Sequence, residues 1–274
     1  MVTLLVIVAL GIALSIWMFS TPYRKHRRRQ RLRAQPFPEA WRQILKRRMP
    51  YFRHMPADLQ LQLKKHIQVF LAEKVFVGCD GLQVTDEMRV TIAAQACLLL
   101  LNRKTDYYPQ LSQILIYPSA FVVDKTQHDG VGLVTEQRQV LSGESWQQGQ
   151  VILSWQDTVA GAEVHDDGRN VVIHEFAHQL DQENGPANGA PILARSEHYQ
   201  SWAATLQHEF NQLQGLTARG FRCLLDPYGA TNPAEFFAVV SEVFFEQPRA
   251  LAEQHPALYA EFSRYYQLDP LSWQ

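Results

Sequence analysis

Two histidines and a glutamate with the spacing His-Glu-x-x-His are the residues of this sequence whose types could do chemistry together. They are His174, Glu175 and His178, within the segment VVIHEFAHQLD at 171–181. On a helix, residues four apart lie on one face, so both imidazoles can reach one metal ion while Glu175 stands beside it. Zinc bound by three protein groups keeps a fourth position for water, lowers the pKa of that water and polarises a carbonyl. The pattern therefore predicts a hydrolytic zinc site with Glu175 as the general base.

A third zinc ligand has to come from elsewhere in the chain. The extended pattern that ends in a third histidine is absent, because Asp181 and Asn184 stand where that pattern needs Gly and His. Asp181 follows His178 by three residues and shares its face. We expect Asp181 either to accept an N–H from a ligand imidazole or to make a contact in the turn that ends the helix.

A later segment, NPAEFFAVVSEVFFEQP at 232–248, offers three glutamates: Glu235, Glu242 and Glu246. Glu235 lies within an otherwise apolar face, where a lone carboxylate is costly to bury unless it is paired or binds metal. Glu235 is thus the candidate third ligand. Glu242, seven residues on and near the same face, either orients a ligand histidine or competes for the metal.

Helices and short strands are expected to position these side chains. Residues with helical spacing near Trp41 and from Leu59 to Ile67 predict two helices, and Thr85 or Asp86 can cap a third that is apolar nearly all round. Thr231 or Asn232 can cap the helix that carries Glu235, with Pro233 in its first turn.

The middle of the chain alternates short apolar runs with Pro and Gly, which predicts β-strands before the His-Glu-x-x-His helix. The runs are ILIYPSAFVVD, VGLV, QVLSG and QVILSW. An edge strand beside such a helix can pair with an extended peptide. The sequence does not identify which strand is the edge.

Composition points to an ordinary globular protein rather than a disordered or fibrous one. The 274 residues are 46% hydrophobic and 19% charged, and 26 basic against 27 acidic residues give a formal net charge of −1. No direct binding to nucleic acid is expected from this balance. The cysteines, Cys79, Cys97 and Cys223, form no Cys/His cluster, which suits a reducing compartment.

The N-terminal segment is expected to anchor the chain in a membrane. Residues 1–20 carry no charged side chain, and a helix of about 20 residues spans a bilayer core. A basic block follows at 24–33, where a cleaved signal peptide would carry its basic residues first. Because basic residues stay on the cytoplasmic side, we expect a single pass through the inner membrane with the domain facing the cytoplasm. The basic residues can also bind anionic lipid headgroups; they are Arg24, Lys25, Arg27, Arg28, Arg29, Arg31 and Arg33.

Four separated segments resemble the Mlc titration factor A (MtfA) family of zinc peptidases, from about Trp41 to the C-terminus. They are HEFAHQLD, YGATNPAEFFAVVSEVFF, IYPSAFVVD and SWQQGQVILSW. The two segments of the metal site also resemble the catalytic domain of anthrax-type lethal factor. The resemblance implies an α+β, zincin-like fold, mainly helical with a small mixed sheet. It also implies one Zn²⁺ on His174, His178 and Glu235, with Glu175 as base and Tyr228, seven residues before Glu235, donating to the oxyanion.

These observations predict a peptidase domain over 39–274, a basic juxtamembrane linker over 21–38 and a transmembrane helix over 1–20. The family is associated with aminopeptidase-type activity on peptide or protein substrates and with binding a transcriptional repressor. Two other readings stay open. In the first, the chain is a regulatory protein that sequesters such a repressor with little or no proteolysis. In the second, the zinc is purely structural. A structural zinc normally has four protein ligands, often cysteines, and no cysteine lies near the motif.

Overall fold

The structure is a computed structural model that describes residues 1–104, 106–128, 134–141, 143–146, 149–164 and 166–273. Side chains are described within these ranges except those of residues 2–9, 11–14, 16, 18, 121–128, 134–141 and 144–146. The predicted strand VGLV at 131–134 therefore lies almost wholly outside the described residues.

Ten α-helices and six strands are found in the part of the chain that the structure describes. The helices are α1 Val2–Ala34, α2 Glu39–Arg48, α3 Ala57–Glu73, α4 Asp86–Leu98, α5 Trp155–Glu163, α6 Val171–Asp181, α7 His198–Ala218, α8 Pro233–Glu246, α9 Pro248–Gln254 and α10 Pro256–Tyr266. The strands are β1 Val75–Gly78, β2 Gln113–Tyr117, β3 Phe121–His128, β4 Val134–Leu141, β5 Gly143–Trp146 and β6 Gln150–Ser154. This mainly helical architecture agrees with the α+β class that the sequence predicted.

The sheet is small and mixed, with the strand order β1-β2-β6-β5. Strands β1, β2 and β6 are parallel, and β5 pairs antiparallel with β6, Gly143 opposite Leu153. Strands β3 and β4 form a separate antiparallel ribbon between β2 and β5 in the chain. The open question of the edge strand is thus answered: β5 is the edge on the side of α6.

The predicted helix starts are confirmed at the two caps that bear on the core and the site. Thr85 Oγ1 accepts the amide of Met88 at the start of α4. Asn232 Oδ1 accepts the amides of Ala234 and Glu235 at the start of α8. Such caps satisfy amides that have no partner within the helix.

Helices α3, α4, α6 and α8 enclose one apolar core. Helix α4 is buried on nearly all sides, as its sequence predicted, and Cys97 within it is fully buried. Phe176 of α6 packs against Phe70 and Tyr108, with ring centroids 5.7 Å and 4.9 Å away. Because this aromatic contact lies on the far side of α6 from the histidines, it fixes the helix that carries them.

Helix α1 runs without interruption through most of the segment that we expected to be a linker. It contains Pro22 and ends at Ala34, so only residues 35–38 of the predicted linker are extended. The basic residues favour a helix intrinsically, and several are held by partners on the domain. Arg29 forms two bonds with Glu73, at 2.7 Å and 2.8 Å, and Arg33 donates to the Tyr107 hydroxyl at 2.6 Å.

Among the residues that the structure describes, no helix combines the length and the apolar character needed to cross a membrane. Residues 2–20 are helical, and most of their side chains lie outside the described set.

Candidate metal centre

Helix α6 begins at a polar cap and presents the predicted motif into a cleft. Asn170 Oδ1 accepts the amide of Ile173, and the apolar residues that follow are buried against the core. His174, Glu175 and His178 then lie along one side of α6, with all three at least largely buried.

Helix α8 brings Glu235 to both histidines. Glu235 Oε2 lies 3.0 Å from His174 Nε2 and 3.2 Å from His178 Nε2, and the two Nε2 atoms are 3.2 Å apart. Each of the three residues can offer one ligand atom within 4.8 Å of the others. The packing of α6 on α8 therefore brings together side chains that are more than 50 residues apart in the sequence.

These distances fit a metal ion. Four ligands at about 2.0–2.1 Å in a tetrahedron are separated by about 3.3 Å, close to the three distances found here. His174 Nδ1 faces Glu242 Oε1 at 2.7 Å, so a neutral His174 carries its proton there and turns an Nε2 lone pair toward a carboxylate. His174 Nε2, His178 Nε2 and Glu235 Oε2 are three electron-pair donors that face one another, and a cation between them would bind all three.

Glu242 orients His174, which is one of the two roles predicted for it. Its Oε1 is the partner of His174 Nδ1, and its Oε2 accepts the amide of Asn170 at 2.5 Å. A carboxylate on the far nitrogen of a ligand histidine fixes the tautomer and the ring orientation.

The candidate ligands strongly shift one another's pKa values. Burial lowers the pKa of His174, but Glu242, Glu235 and Glu175 outweigh it and hold that pKa well above its usual range. Burial alone would raise the pKa of Glu235, yet hydrogen bonds from both histidines hold it well below its usual range. A divalent cation would take the place of the proton that these carboxylates attract.

Glu175 lies beside the three candidate ligands, and a glycine makes room for it. Glu175 is only 5% exposed and lines the same cleft as His174. A Cβ added at Gly143 of β5 would stand 2.6 Å from Glu175 Oε1 and 2.7 Å from Val171 Cγ2. The closeness of Gly143 to Glu175 depends on how β5 packs on α6, so no local sequence signal indicates it.

Tyr228 is brought to the site by a short 3₁₀ helix, Pro227–Ala230, that precedes α8. Asp226 caps this turn by accepting the Tyr228 amide at 2.9 Å, and Arg169 binds the same carboxylate at 2.8 Å. The Tyr228 ring is half exposed, with its centroid 6.0 Å from that of His174. Tyr228 therefore borders the cleft next to the candidate ligands.

Asp181 holds a loop, so the structure supports its predicted turn contact instead of a bond to a histidine. Asp181 Oδ2 accepts the amides of Asn188 and Gly189 at 2.8 Å and 2.7 Å. Gly189 has a φ of +76°, and an added Cβ there would meet Pro233 O at 2.5 Å. No bond from Asp181 to His178 is found among the described residues; its Oδ2 contacts the loop at 188–189.

The cleft has a volume of about 540 Å³ and is formed by α5, α6, β5 and the turn at Tyr228. Its wall combines apolar residues with charged ones, among them Asp157, Asp167 and Arg169. A cleft of this size that opens beside the candidate ligands leaves room for an extended substrate.

Asn170 and Glu246, the third glutamate that the sequence offered, also meet beside the centre. Asn170 donates its side-chain amide to Glu246 Oε1 at 2.9 Å, and both residues are buried. Burial raises the pKa of Glu246 to about 8. The contact between Asn170 and Glu246 spans 76 residues, so no local sequence signal indicates it.

Comparisons with known proteins identify the family of this chain. The family model of the glucose-regulated metallo-peptidase M90 matches residues 23–267. An uncharacterised protein of Synechocystis sp. is 42% identical over 266 residues, which is 96% of each chain. Mlc titration factor A of Klebsiella pneumoniae (strain 342) is 38% identical over 238 residues, or 84% of this chain and 86% of that protein. The same factor of Enterobacter sp. (strain 638) is 37% identical over 230 residues, or 81% and 84%. The chain therefore belongs to the glucose-regulated metallopeptidase M90 family, which confirms the resemblance to the Mlc titration factor A proteins.

Proposed function

We propose that this chain is a zinc-dependent peptidase that hydrolyses peptide bonds with Glu175 as general base. The observation that carries the proposal is the meeting of His174, His178 and Glu235 beside Glu175 at the wall of an open cleft. Three ligands from the protein leave a coordination position for water, which is the arrangement of catalytic zinc sites. Membership of a metallopeptidase family supports the same reaction class.

Each residue has a role that follows from its position. When bound, zinc polarises the substrate carbonyl and lowers the pKa of the attacking water. Glu175 takes the proton of that water and passes it to the leaving amine. The Tyr228 hydroxyl donates a hydrogen bond to the oxyanion that develops on the carbonyl. His174, His178 and Glu235 hold the metal, and Glu242 keeps the His174 ring in place.

The substrate is proposed to bind in extended form along β5. This strand is the edge of the sheet beside α6, and an extended peptide can add to such an edge by main-chain hydrogen bonds. Gly143 would then place the peptide close to Glu175. We propose an aminopeptidase-type activity on the strength of the family resemblance, with acidic residues Asp157 and Asp167 in the cleft wall able to attract a free amino terminus.

The test is the variant Glu175→Gln, which keeps the size of the side chain and removes the base. The full chain with this change should bind one zinc per chain and lose hydrolysis of a mixed peptide library. Glu253→Gln, on the exposed part of α9, is the matched control and should retain full activity. A zinc-loaded wild-type protein without activity on any peptide, or an active Glu175→Gln variant, would contradict the proposal.

A second function, binding of the Mlc protein, is supported by the name of the Mlc titration factor A relatives. In this reading the chain sequesters a transcriptional repressor and proteolysis is minor. The two functions separate in the same variant, because Glu175→Gln should still capture purified Mlc if binding does not need catalysis. Equal capture by wild type and variant, with no peptide hydrolysis by the wild type, would favour the binding function alone.

Location at the inner membrane, with the domain facing the cytoplasm, is proposed from the sequence. Residues 1–20 lack charged side chains and the basic block follows them. Fractionation of cells that express the full chain should recover it with the inner membrane. Recovery with the soluble proteins would contradict this location.

A further inference from the structure

Glu246 is a buried carboxylate at the metal centre that the proposed reaction does not use. It lies one turn after Glu242 on α8 and is 3% exposed. Burying a carboxyl group in an apolar core costs free energy unless hydrogen bonds compensate for it. The compensation comes from Asn170, whose side-chain amide donates to Glu246 Oε1 at 2.9 Å.

Asn170 joins three helices through all of its polar groups. Its Oδ1 caps α6 by accepting the Ile173 amide at 3.0 Å, and its carbonyl accepts the His174 amide at 2.9 Å. Its Nδ2 reaches Gly161 O of α5 at 3.3 Å as well as Glu246. Its backbone amide donates to Glu242 Oε2 at 2.5 Å.

The consequence is a fixed register between α6 and α8. Asn170 at the start of α6 is held between two carboxylates that lie one turn apart on α8, Glu242 and Glu246. Helix α6 carries His174 and His178, and helix α8 carries Glu235. The relative position of these two helices sets the separation of the three ligand atoms. Both oxygens of Glu242 are also used, one by Asn170 and one by His174, so the carboxylate cannot rotate away from the imidazole.

We propose that Asn170 and Glu246 are positioning residues of the metal centre, which hold Glu242 against His174 and fix α6 relative to α8. The inference rests on the proposed zinc site. In this arrangement the buried carboxyl group of Glu246 accepts a hydrogen bond from the Asn170 side chain and holds that side chain in place. Loss of this bond should weaken zinc binding more than it weakens the fold, because the helix cap and the surrounding core remain.

The variant Asn170→Ser separates the two functions of Asn170. Serine caps a helix about as well as asparagine, and the backbone amide that binds Glu242 remains, but no side-chain amide reaches Glu246. Loss of the direct partner of a metal ligand typically weakens metal binding about 10–100-fold, and the bond between Asn170 and Glu246 lies one contact beyond that partner, Glu242, so the lower end of this range applies. We expect the zinc affinity of the full chain, measured by competition with a chromophoric zinc chelator, to fall about tenfold.

A matched control removes a comparable hydrogen bond away from the centre. Glu209 Oε2 lies 2.8 Å from His255 Nδ1, which links α7 to the residue after α9. Glu209→Leu removes this acceptor and should lower the thermal stability of the protein without zinc to a similar degree as Asn170→Ser, while its zinc affinity stays within twofold of wild type.

Two variants of Glu246 test the partner. Glu246→Gln keeps a carbonyl acceptor for Asn170 and should bind zinc as the wild type does, whereas Glu246→Leu should weaken zinc binding about as much as Asn170→Ser. Because both changes break the bond between Asn170 and Glu246, the double variant Asn170→Ser with Glu246→Leu should bind zinc about as tightly as the weaker-binding single variant. Circular dichroism checks that each variant folds. If Glu246→Leu does not fold, the zinc affinity of Asn170→Ser alone tests the inference.

Two outcomes would overturn the inference: a zinc affinity of Asn170→Ser within twofold of wild type, or single effects that multiply in the double variant. Either outcome leaves the proposed function intact as long as the wild type binds zinc and cleaves peptides. A wild-type chain that binds no zinc overturns the proposed function and the inference together.

Discussion

The candidate metal centre and the N-terminal helix both gather charged side chains, yet the two clusters differ in how their charges are paired. At the centre, His174, His178 and Glu235 have side chains only 11–18% exposed, and their atoms face one another at about hydrogen-bond distance. On α1, the side chains of Arg29 and Glu73 are equally buried, at 11% and 12% exposed, but there a basic group meets a carboxylate. Lys25 and its partner Asp106 are 43% and 50% exposed. The comparison shows that a high density of charged side chains does not by itself indicate a binding site. A cluster indicates a metal site where buried electron-pair donors converge, because a cation is then the partner that satisfies them.

The largest expected effect comes from removing the distant ligand. Glu235→Ala should weaken zinc binding by more than about 100-fold, the upper end for loss of an outer partner, because it removes a direct ligand. Competition with a zinc chelator measures this change, with Glu253→Gln as the exposed control. Zinc affinity equal to wild type would show that Glu235 is not a ligand and that converging donors do not distinguish the centre from the paired charges of α1.

Removal of the Tyr228 hydroxyl should act on the reaction and not on the metal. Tyr228→Phe keeps the ring next to His174 and should lower kcat by about 100-fold, the usual cost of one lost donor to an oxyanion. Zinc affinity should not change. Unaltered kcat would reduce Tyr228 to a packing role at the cleft.

The buried Glu246 should make the stability of the metal-free protein depend on pH. Its pKa is raised to about 8 by burial, so between the unfolded value near 4.5 and about 8 the folded chain holds a proton that the unfolded chain has lost. Stability therefore falls as pH rises through this range, by up to about 1.4 kcal/mol per pH unit. Urea unfolding at pH 5 to 8 should show a clearly shallower decline for Glu246→Gln. Equal slopes for the variant and the wild type would mean that Glu246 is ionised in the folded chain.

The smallest effect is expected on α1. Arg29→Ala removes charged hydrogen bonds to Glu73 and Asp106 and should cost about 1–2 kcal/mol of stability, whereas Lys25→Ala, at an exposed pair, should cost less than about 0.5 kcal/mol. Thermal unfolding of the full chain measures both. Neither change should alter zinc affinity; a loss of zinc in Arg29→Ala would show that α1 and the metal centre are energetically coupled.

Sequence reasoning reached the metal centre because its main signals are local. His174 and His178 are four residues apart on one helix, and Asn232 and Pro233 mark the start of the helix with Glu235. These periodicities and caps follow from helix geometry, so the sequence alone could predict them.

The remaining features depend on packing between distant segments. Gly143 approaches Glu175, and Arg29 finds Glu73 and Asp106 across 44 and 77 residues, with no spacing rule to reveal either contact. For the same reason residues 21–34 looked like a basic linker. Their partners on α3 and on the loop after α4, together with the helix propensity of the basic residues, explain why the helix continues to Ala34.

The central claim is that one zinc ion binds His174, His178 and Glu235 with a coordination position left for solvent. A crystal structure of the zinc-loaded full chain, with anomalous data at the zinc edge, tests it most directly. The account predicts one peak about 2.0–2.2 Å from both Nε2 atoms and a Glu235 oxygen, with water as the fourth ligand. A peak with four protein ligands, or with Glu235 turned away from the metal, would contradict it.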